Sequence, residues 1–431
     1  MTALGAAEAR MRAAGVSDIG IRAFARLYGL LVAGDRGIVG SDELEPVRDV
    51  PSLEELGEAD VPHGGLAMIR LNGGLATTMG LSGPKSLVDV KPGVTFLDVI
   101  ARQALAAQVP LVLMNSYATR EPSLAALARH GGLSNDLPPD FLQHREPRLR
   151  AADLEPLDDW CPPGHGDLYA ALHASGTLAA MLARGYRYAL VANADNLGAV
   201  VEPRIPAWMA RERVPFVMEV VEGTAADRKG GHIALRDGRL VLRDTAQAPD
   251  DGSFTDFERW RFYNTNNLWI DLERLAALLD EHDGVLPLPL IVNRKQAGTV
   301  LQLETAMGSA IGLIDGARAL QVPRTRFAPV KSTDDLLLVR SDAYELTAQA
   351  QLLPADGVGT VVIALDPNHY GSLRELERRF PAGPPSLRRC TSLTVLGDVV
   401  FGRDVEVVGD VELRGPARIP DGAVLGGARA G

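Results

Sequence analysis

Four groups of residues in this 431-residue chain have the types and spacing for phosphate chemistry. The first is Leu71 to Ser86, Leu-Asn-Gly-Gly-Leu-Ala-Thr-Thr-Met-Gly-Leu-Ser-Gly-Pro-Lys-Ser, where Gly73, Gly74, Gly80 and Gly83 precede Lys85. Glycine lets backbone N–H groups approach an anion closely, because no Cβ intervenes. Such a turn followed by a lysine makes a cradle for a polyphosphate. The spacing is neither G-x-x-x-x-G-K-S/T nor G-x-G-x-x-G, so glycine content alone also allows a simple turn beside a core strand. The second group is Asp195, in Asn193-Ala-Asp-Asn-Leu-Gly198. A carboxylate just past a strand can hold Mg2+, which takes one or two carboxylates plus substrate phosphates, or it can cap a turn. The third, Trp160-Cys-Pro-Pro-Gly-His-Gly-Asp167, presents His165 at a helix start, where backbone amides attract anions; a structural histidine is the alternative. The fourth, Val322 to Asp335, carries Arg324, Arg326 and Lys331, a second cationic cluster or a solvated basic loop. Two further stretches suit a sugar. Asn264-Thr-Asn-Asn-Leu-Trp269 holds three asparagines, which donate and accept at once as hydroxyls require, and Gln302-Leu-Glu-Thr305 offers the Glu304 carboxylate.

The elements that position these groups follow from periodicity. Leu66 to Leu71, Pro110 to Asn115, Tyr188 to Asn193 and Pro215 to Val220 read as central strands, with helical segments between them, notably Leu168 to Arg184. That alternation predicts a mostly parallel sheet covered on both faces. Ligands bind such sheets beyond the carboxyl ends of the strands, where Asn72-Gly73-Gly74, Asn115-Ser116 and Asn193-Ala194-Asp195 fall. Gly231 to Asp244 reads as a hairpin turning at Arg236-Asp237-Gly238, so the sheet is expected to be mixed. Residues up to about Pro46 read as helical, with Ser17 as N-cap and Ile21, Phe24, Tyr28 and Leu31 at helical spacing. Pro354 to Pro385 reads as a linker with short elements. From Leu393 onward, short strands ended by glycine, at an aliphatic spacing near six, suggest a parallel β-helix over a β-meander. Its last coil leaves an unpaired edge, a candidate homo-oligomer contact. The expected division is an N-terminal helical extension (1–49), a catalytic domain (50–353), a linker (354–385) and a C-terminal β-helix (386–431).

The formal net charge of −11 argues against nucleic acid or an anionic membrane surface as partner. No stretch is long and apolar enough to span a bilayer. The two cysteines, Cys161 and Cys390, build no disulfide framework or zinc site, which fits a reducing cytoplasm. A triphosphate beside a sugar phosphate makes a demand on so acidic a chain. Like charges about 4 Å apart repel by about 4 kcal/mol at an effective dielectric near 20. A metal ion and a few placed lysines are therefore expected, rather than a diffuse basic face.

These motifs resemble those of the eukaryotic-type UTP–glucose-1-phosphate uridylyltransferases, or UDP-glucose pyrophosphorylases. The family loop reads L-N-G-G-L-G-T-S-M-G-x-x-G-P-K-S, from which this chain departs at Ala76 and Ser82. W-x-P-P-G-H-G-D is matched in full, and S-N-x-D-N-L-G, N-T-N-N-L-W, Q-L-E-T and V-P-R-x-R-F-x-P-V-K-x-T-x-D have their counterparts here. The resemblance runs from about Ile69 to Leu338 and resumes over Leu393 to Leu425. It implies an α/β fold: a Rossmann-like, GT-A-like nucleotidyltransferase with a mixed sheet and helices on both faces, an N-terminal helical extension, and a small C-terminal left-handed parallel β-helix. It implies Mg2+-dependent conversion of UTP and glucose 1-phosphate to UDP-glucose and pyrophosphate. By the same resemblance Lys85 and Lys331 are catalytic, Leu71, Asn72, Gly73, Gly74, Lys85, Gln143, Gly164 and Lys331 bind the nucleotide, and Gln143 reads the uracil edge. His165, Asn193, Asp195, Asn264, Asn266 and Glu304 bind the sugar phosphate, and Asp195 binds the metal. Asp227-Arg-Lys-Gly-Gly231 adds Lys229 as a weaker candidate. The alternatives are a uridylyltransferase for galactose 1-phosphate or N-acetylhexosamine 1-phosphate, and a non-catalytic nucleotide-sugar sensor, against which the presence of Lys85, Asp195 and Lys331 counts.

Overall fold

A computed structural model describes residues 2–58, 65–133, 136–224 and 230–426. Leu66–Asn72 forms a strand at the centre of a ten-stranded sheet, since its apolar residues suit burial on both faces. Leu111–Asn115 lies parallel to it on one side, followed by Asp140–Leu142, and Tyr188–Asn193 lies parallel on the other. Next comes Phe262–Asp271, antiparallel, then Phe216–Glu222 and Arg318–Gln321. The expected hairpin is present as His232–Arg236 and Arg239–Arg243. Asp237 and Gly238 both take positive φ, as a two-residue turn matching the strand twist needs. The sheet is therefore mixed.

Side chains alternate between the faces with the period of two that strands impose. Ala67 and Ile69 join one core layer with the helices Leu168–Ala174, Thr177–Ala183 and Leu272–Glu281. Leu66 and Met68 join the opposite layer with Phe96–Ala107, Arg204–Glu212 and Thr333–Arg340. The single helix expected from Leu168 to Arg184 is in fact two, because Gly176 takes a left-handed φ of 74° that ends the first turn of chain and caps the second.

At the N-terminus, Ala3–Ala13 and Asp18–Val32 are helical. Ser17 caps the second, its Oγ accepting the Gly20 N–H at 3.0 Å. Ile21, Phe24, Tyr28 and Leu31 bury against Leu290 and against Leu149, Leu301 and Leu303 of a second, antiparallel sheet built from Ile291–Lys295, Val300–Glu304, Glu146–Arg150 and Pro156–Cys161. Helix does not continue to Pro46. Gly34 and Gly37 take positive φ, and Glu45–Pro46 joins the main sheet as an edge strand beside His232–Arg236.

The stretch 354–385 packs more tightly than a linker would. Val362–Leu365 pairs in parallel with Ser386–Leu396, and Arg379 of the helix Leu373–Arg379 is held by Asp398 at 2.8 Å. Beyond it the strands stack in parallel at a repeat of 18 residues, Leu393 opposite Val411, Val399 opposite Ala417 and Glu406 opposite Val424. That repeat is three turns of the six-residue spacing and gives a parallel β-helix.

Candidate active site

The carboxyl ends of Leu66–Asn72 and Tyr188–Asn193 open into a cleft. Leu71, Asn72, Gly73, Gly74, Lys85, Gln143, Gly164, His165, Asn193 and Asp195 all line it. Residues picked out from three of the four groups, with Gln143, thus share one concavity. Lys331, Asn264, Asn266 and Glu304 stand outside its lining.

The glycine loop leaves the central strand at Gly73 and is pinched shut at its neck. Lys85 N donates to Gly74 O at 3.1 Å and Ala76 N to Gly83 O at 3.0 Å. Ala76 is fully buried at a φ of −80°, so the methyl that replaces the family's glycine faces the core. The neck aims Lys85 across the cleft, where its Nζ meets Asp195 Oδ2 at 2.7 Å, the two side chains 16% and 21% exposed. The other carboxylate oxygen, Asp195 Oδ1, is buried and has no hydrogen-bond partner among the described residues.

Asp195 is held in place by its neighbour. Asn196 is buried and acts as a hub: Nδ2 donates to Asn267 Oδ1 at 3.0 Å and to Arg326 O at 3.1 Å, and Oδ1 accepts from Gly198 N and Ala328 N. Arg70, buried on the central strand, donates to the carbonyls of Asn196 and Ala199; burial pushes its pKa down to about 9. The same hub draws in the basic segment, since Val330 N donates to Asp195 O at 3.1 Å. Lys331 therefore leaves the chain one residue from a direct tether to Asp195. Its side chain is exposed, and its Nζ has no hydrogen-bond partner among the described residues.

Arg326 is not a phosphate contact. It is buried in an ion pair with Glu219, Nε to Oε2 at 3.0 Å, and the same carboxylate accepts from Asn267 Nδ2 at 2.9 Å and Trp269 Nε1 at 2.8 Å. Arg324 is turned to the Glu222 carbonyl at 2.9 Å. The three asparagines likewise divide. The strand Phe262–Asp271 bulges opposite Glu219, with Asn266 in the left-handed region at φ 58°. Asn267 turns into the buried network. Asn264 and Asn266 tie to each other, Nδ2 to Oδ1 at 2.8 Å. Lys229 lies outside the described residues.

On the far wall, Gln143 Nε2 donates to Gly164 O at 2.8 Å. Gln143 Oε1 sits over Gly73, where an added Cβ would lie 2.7 Å away. Asn72 borders the cleft, but its Nδ2 is committed to Asn115 Oδ1 and Ser123 Oγ at 2.7 and 2.8 Å. His165 Nδ1 accepts the Met307 N–H at 3.0 Å, which assigns the proton of the neutral ring to Nε2. Burial lowers its pKa, partly offset by Asp244, so the ring is a neutral donor at pH 7. Gly164 takes a φ of 77°, and a Cβ there would strike the Thr305 carbonyl at 2.5 Å. That contact holds the Gly164–Asp167 turn against the strand bearing Glu304. Glu304 accepts from Asn293 at 3.0 Å, and burial raises its pKa.

The donor set fits a Mg2+ ion. Asp195 Oδ1 is a hard oxygen with an unmet lone pair, buried at the cleft. No group of three or more His, Cys, Asp or Glu residues that could cage a metal occurs among the described residues. One carboxylate with the remaining positions left to phosphate oxygens is the usual manner of Mg2+ binding.

Residues 38–408 match the family model described as UTP–glucose-1-phosphate uridylyltransferase. A UTP–glucose-1-phosphate uridylyltransferase from Solanum tuberosum is 39% identical over 416 residues, spanning 91% of this chain and 85% of that protein. One from Saccharomyces cerevisiae is 36% identical over 386 residues, 84% of this chain and 77% of that protein. A mutant UDP-glucose pyrophosphorylase from Leishmania major, solved in complex with UDP-glucose, superposes with a TM-score of 0.93 at 38% identity, covering 100% of this chain and 99% of that one. A UDP-glucose phosphorylase from Trypanosoma brucei gives 0.90 at 39% identity, covering 98% of each.

Proposed function

This chain belongs to the UTP–glucose-1-phosphate uridylyltransferase family, and from that premise we propose that its cleft joins UTP to glucose 1-phosphate, forming UDP-glucose and pyrophosphate. The observation that carries the assignment of the site is the Lys85–Asp195 pair at the strand ends, with one carboxylate oxygen unmet. A phosphate oxygen of glucose 1-phosphate attacks the α-phosphorus of UTP. A new O–P bond forms, the bond to the bridging oxygen breaks in line, and pyrophosphate departs. No covalent enzyme intermediate is needed, so the work is positioning and charge neutralisation.

In this reading the backbone of Leu71 to Gly74 and Lys85 receive the triphosphate, and Gly164 closes against the nucleotide. Gln143 offers Oε1 to the uracil N3–H, and Lys331 offsets charge on the reacting group. His165 donates Nε2–H to the sugar phosphate, while Asn193, Asn264, Asn266 and Glu304 surround the sugar. Asp195 would hold Mg2+, which when bound neutralises phosphate charge and orients the phosphate oxygens. We read the chain as a catalytic unit, 50–353, flanked by an N-terminal extension and a C-terminal β-helix, with the edge at Val424–Gly426 available to a second copy of the chain. Two free thiols, Cys161 and Cys390, support a cytoplasmic setting, and no helix among the described residues is long and apolar enough to cross a membrane.

Pyrophosphate release tests this. UTP with glucose 1-phosphate is expected to support turnover only when Mg2+ is present, with ATP, GTP and CTP far poorer. Equal turnover with all four nucleotides, or none with UTP, would refute the assignment.

A further inference from the structure

We propose that His144 is a positioning residue for nucleobase selection: clasped by Asp167 and backed by Ser17 of the N-terminal helix, it fixes Gln143 so that the amide oxygen faces the base. The inference rests on the UTP-dependent reaction proposed above and adds to it a role for the helix Asp18–Val32.

Asp167 holds His144 twice. Oδ2 accepts the His144 backbone N–H at 2.7 Å, and Oδ1 lies 2.8 Å from Nδ1. A buried carboxylate only accepts, so Nδ1 carries the proton and Nε2 is left to accept from Ser17 Oγ–H at 2.7 Å. Ser17 Oγ in turn accepts the Gly20 N–H at 3.0 Å. The hydrogen bonds thus run in one direction from the helix cap to the carboxylate. Asp167 also raises the His144 pKa against the opposing effect of burial. Protonation would turn Nε2–H onto Ser17 Oγ without breaking the chain. The order Ser–His–Asp is that of a hydrolytic triad, but here the serine oxygen is engaged as a helix cap. The ring is also wedged: a Cβ at Gly20 would sit 2.7 Å from His144 Cδ2.

The residue next to this clasp is Gln143. Its backbone N–H is fixed on Asn115 O at 2.8 Å and its Nε2 on Gly164 O at 2.8 Å. With Nε2 engaged, Oε1 is the end presented over Gly73. An acceptor there matches the N3–H of uracil and opposes N3 of cytosine, which is itself an acceptor. Gly164, which orients the amide, and Asp167, which clasps His144, belong to the same turn, with Asp167 N on Gly164 O at 3.4 Å. Loosening the clasp therefore frees the Gly164 turn, and with it the constraint on the amide.

Steady-state kinetics with UTP and with CTP test this in His144→Ala, His144→Asn and Gln143→Ala, and in His144→Ala combined with Gln143→Ala. His144→Ala is expected to raise KM for UTP about tenfold and to cut the UTP-over-CTP ratio of kcat/KM about tenfold, with kcat at saturating UTP within about threefold of wild type. His144→Asn, whose Nδ2 can donate to Asp167 in place of Nδ1, is expected to restore most of the ratio. In the Gln143→Ala background, His144→Ala should add nothing. Equal losses with UTP and CTP, or the same loss in both backgrounds, would overturn the proposal. If His144→Ala fails to fold, as judged by its thermal melt, Ser17→Ala serves instead: a fall of about threefold in the same ratio supports the role and an unchanged ratio overturns it. A wild-type enzyme that does not prefer UTP to CTP would instead contradict the reaction itself, a result visible before any variant is made.

Discussion

The ion pairs Lys85–Asp195 and Arg326–Glu219 are joined through the Asn196 hub and differ in how fully each carboxylate is used. In the second, every oxygen of the carboxylate is used: Glu219 accepts from Arg326, Asn267 and Trp269, and the two side chains are 6% and 0% exposed. In the first, Asp195 Oδ1 has no partner among the described residues and both residues line the cleft. A buried pair with its valences met is a strut, and a pair with one valence left over at the end of a parallel sheet is a place for a ligand. The strut also serves the site. Through Asn267 and the Arg326 carbonyl it anchors Asn196, which sets the positions of Asp195 and of the segment leading to Lys331.

That contrast can be broken from either end. Glu219→Ala should have the largest effect, leaving Arg326 buried without its countercharge at a cost of about 3–5 kcal/mol. Urea denaturation would show it as a fall in the midpoint, and a midpoint near wild type would mean the pair is no strut. Lys331→Ala should do the opposite, lowering turnover by about a hundredfold, roughly 3 kcal/mol of transition-state stabilisation, while leaving the urea midpoint in place. Near-normal turnover would remove Lys331 from the chemistry.

A buried histidine extends the contrast through pH. His232 stacks on Trp260 with ring centroids 4.5 Å apart, and burial, aided by Arg243, pushes its pKa down to about 3. The unfolded chain takes up a proton near pH 6.5 that the folded chain refuses until about pH 3. Stability contributed by the neutral ring is therefore complete above pH 6.5 and declines as pH falls, by up to about 1.4 kcal/mol per unit. His232→Phe, which keeps the stacking, should lose less stability than wild type between pH 7 and pH 5 in paired urea titrations. Parallel losses would contradict the assignment. The smallest effect is expected at Ala76, whose methyl is buried at the loop neck. Ala76→Gly should cost about 1 kcal/mol or less and shift KM for UTP by less than about twofold. A large gain in UTP affinity would place the methyl in the path of the phosphates.

The sequence made the strands, the hairpin, the glycine loop and Asp195 legible, because each depends on local periodicity or on a motif contiguous in the chain. It did not separate Arg326 from Lys331. Both sit in one basic cluster, and their fates differ because Glu219, more than a hundred residues earlier, lies under one of them. Asn264-Thr-Asn-Asn-Leu-Trp269 was legible as polar, but only the bulge opposite Glu219 sends Asn267 inward. Gly34 and Gly176 were signals present in the sequence; their positive φ ends helices that apolar spacing alone would have extended. Asn196 and His144 each adjoin a residue that the motifs identify, and their roles as hub and clasp appear only once distant loops meet.

The most direct test is pyrophosphate release from UTP and glucose 1-phosphate, followed across a Mg2+ titration in wild type and in Asp195→Asn. Wild type should respond saturably to the metal. The variant should turn over about 10²–10³-fold more slowly at every Mg2+ concentration, with its unfolding free energy from urea titration within about 1 kcal/mol of wild type. A variant that keeps the wild-type rate and the wild-type Mg2+ dependence would show that the unmet oxygen at the strand ends plays no part in the reaction.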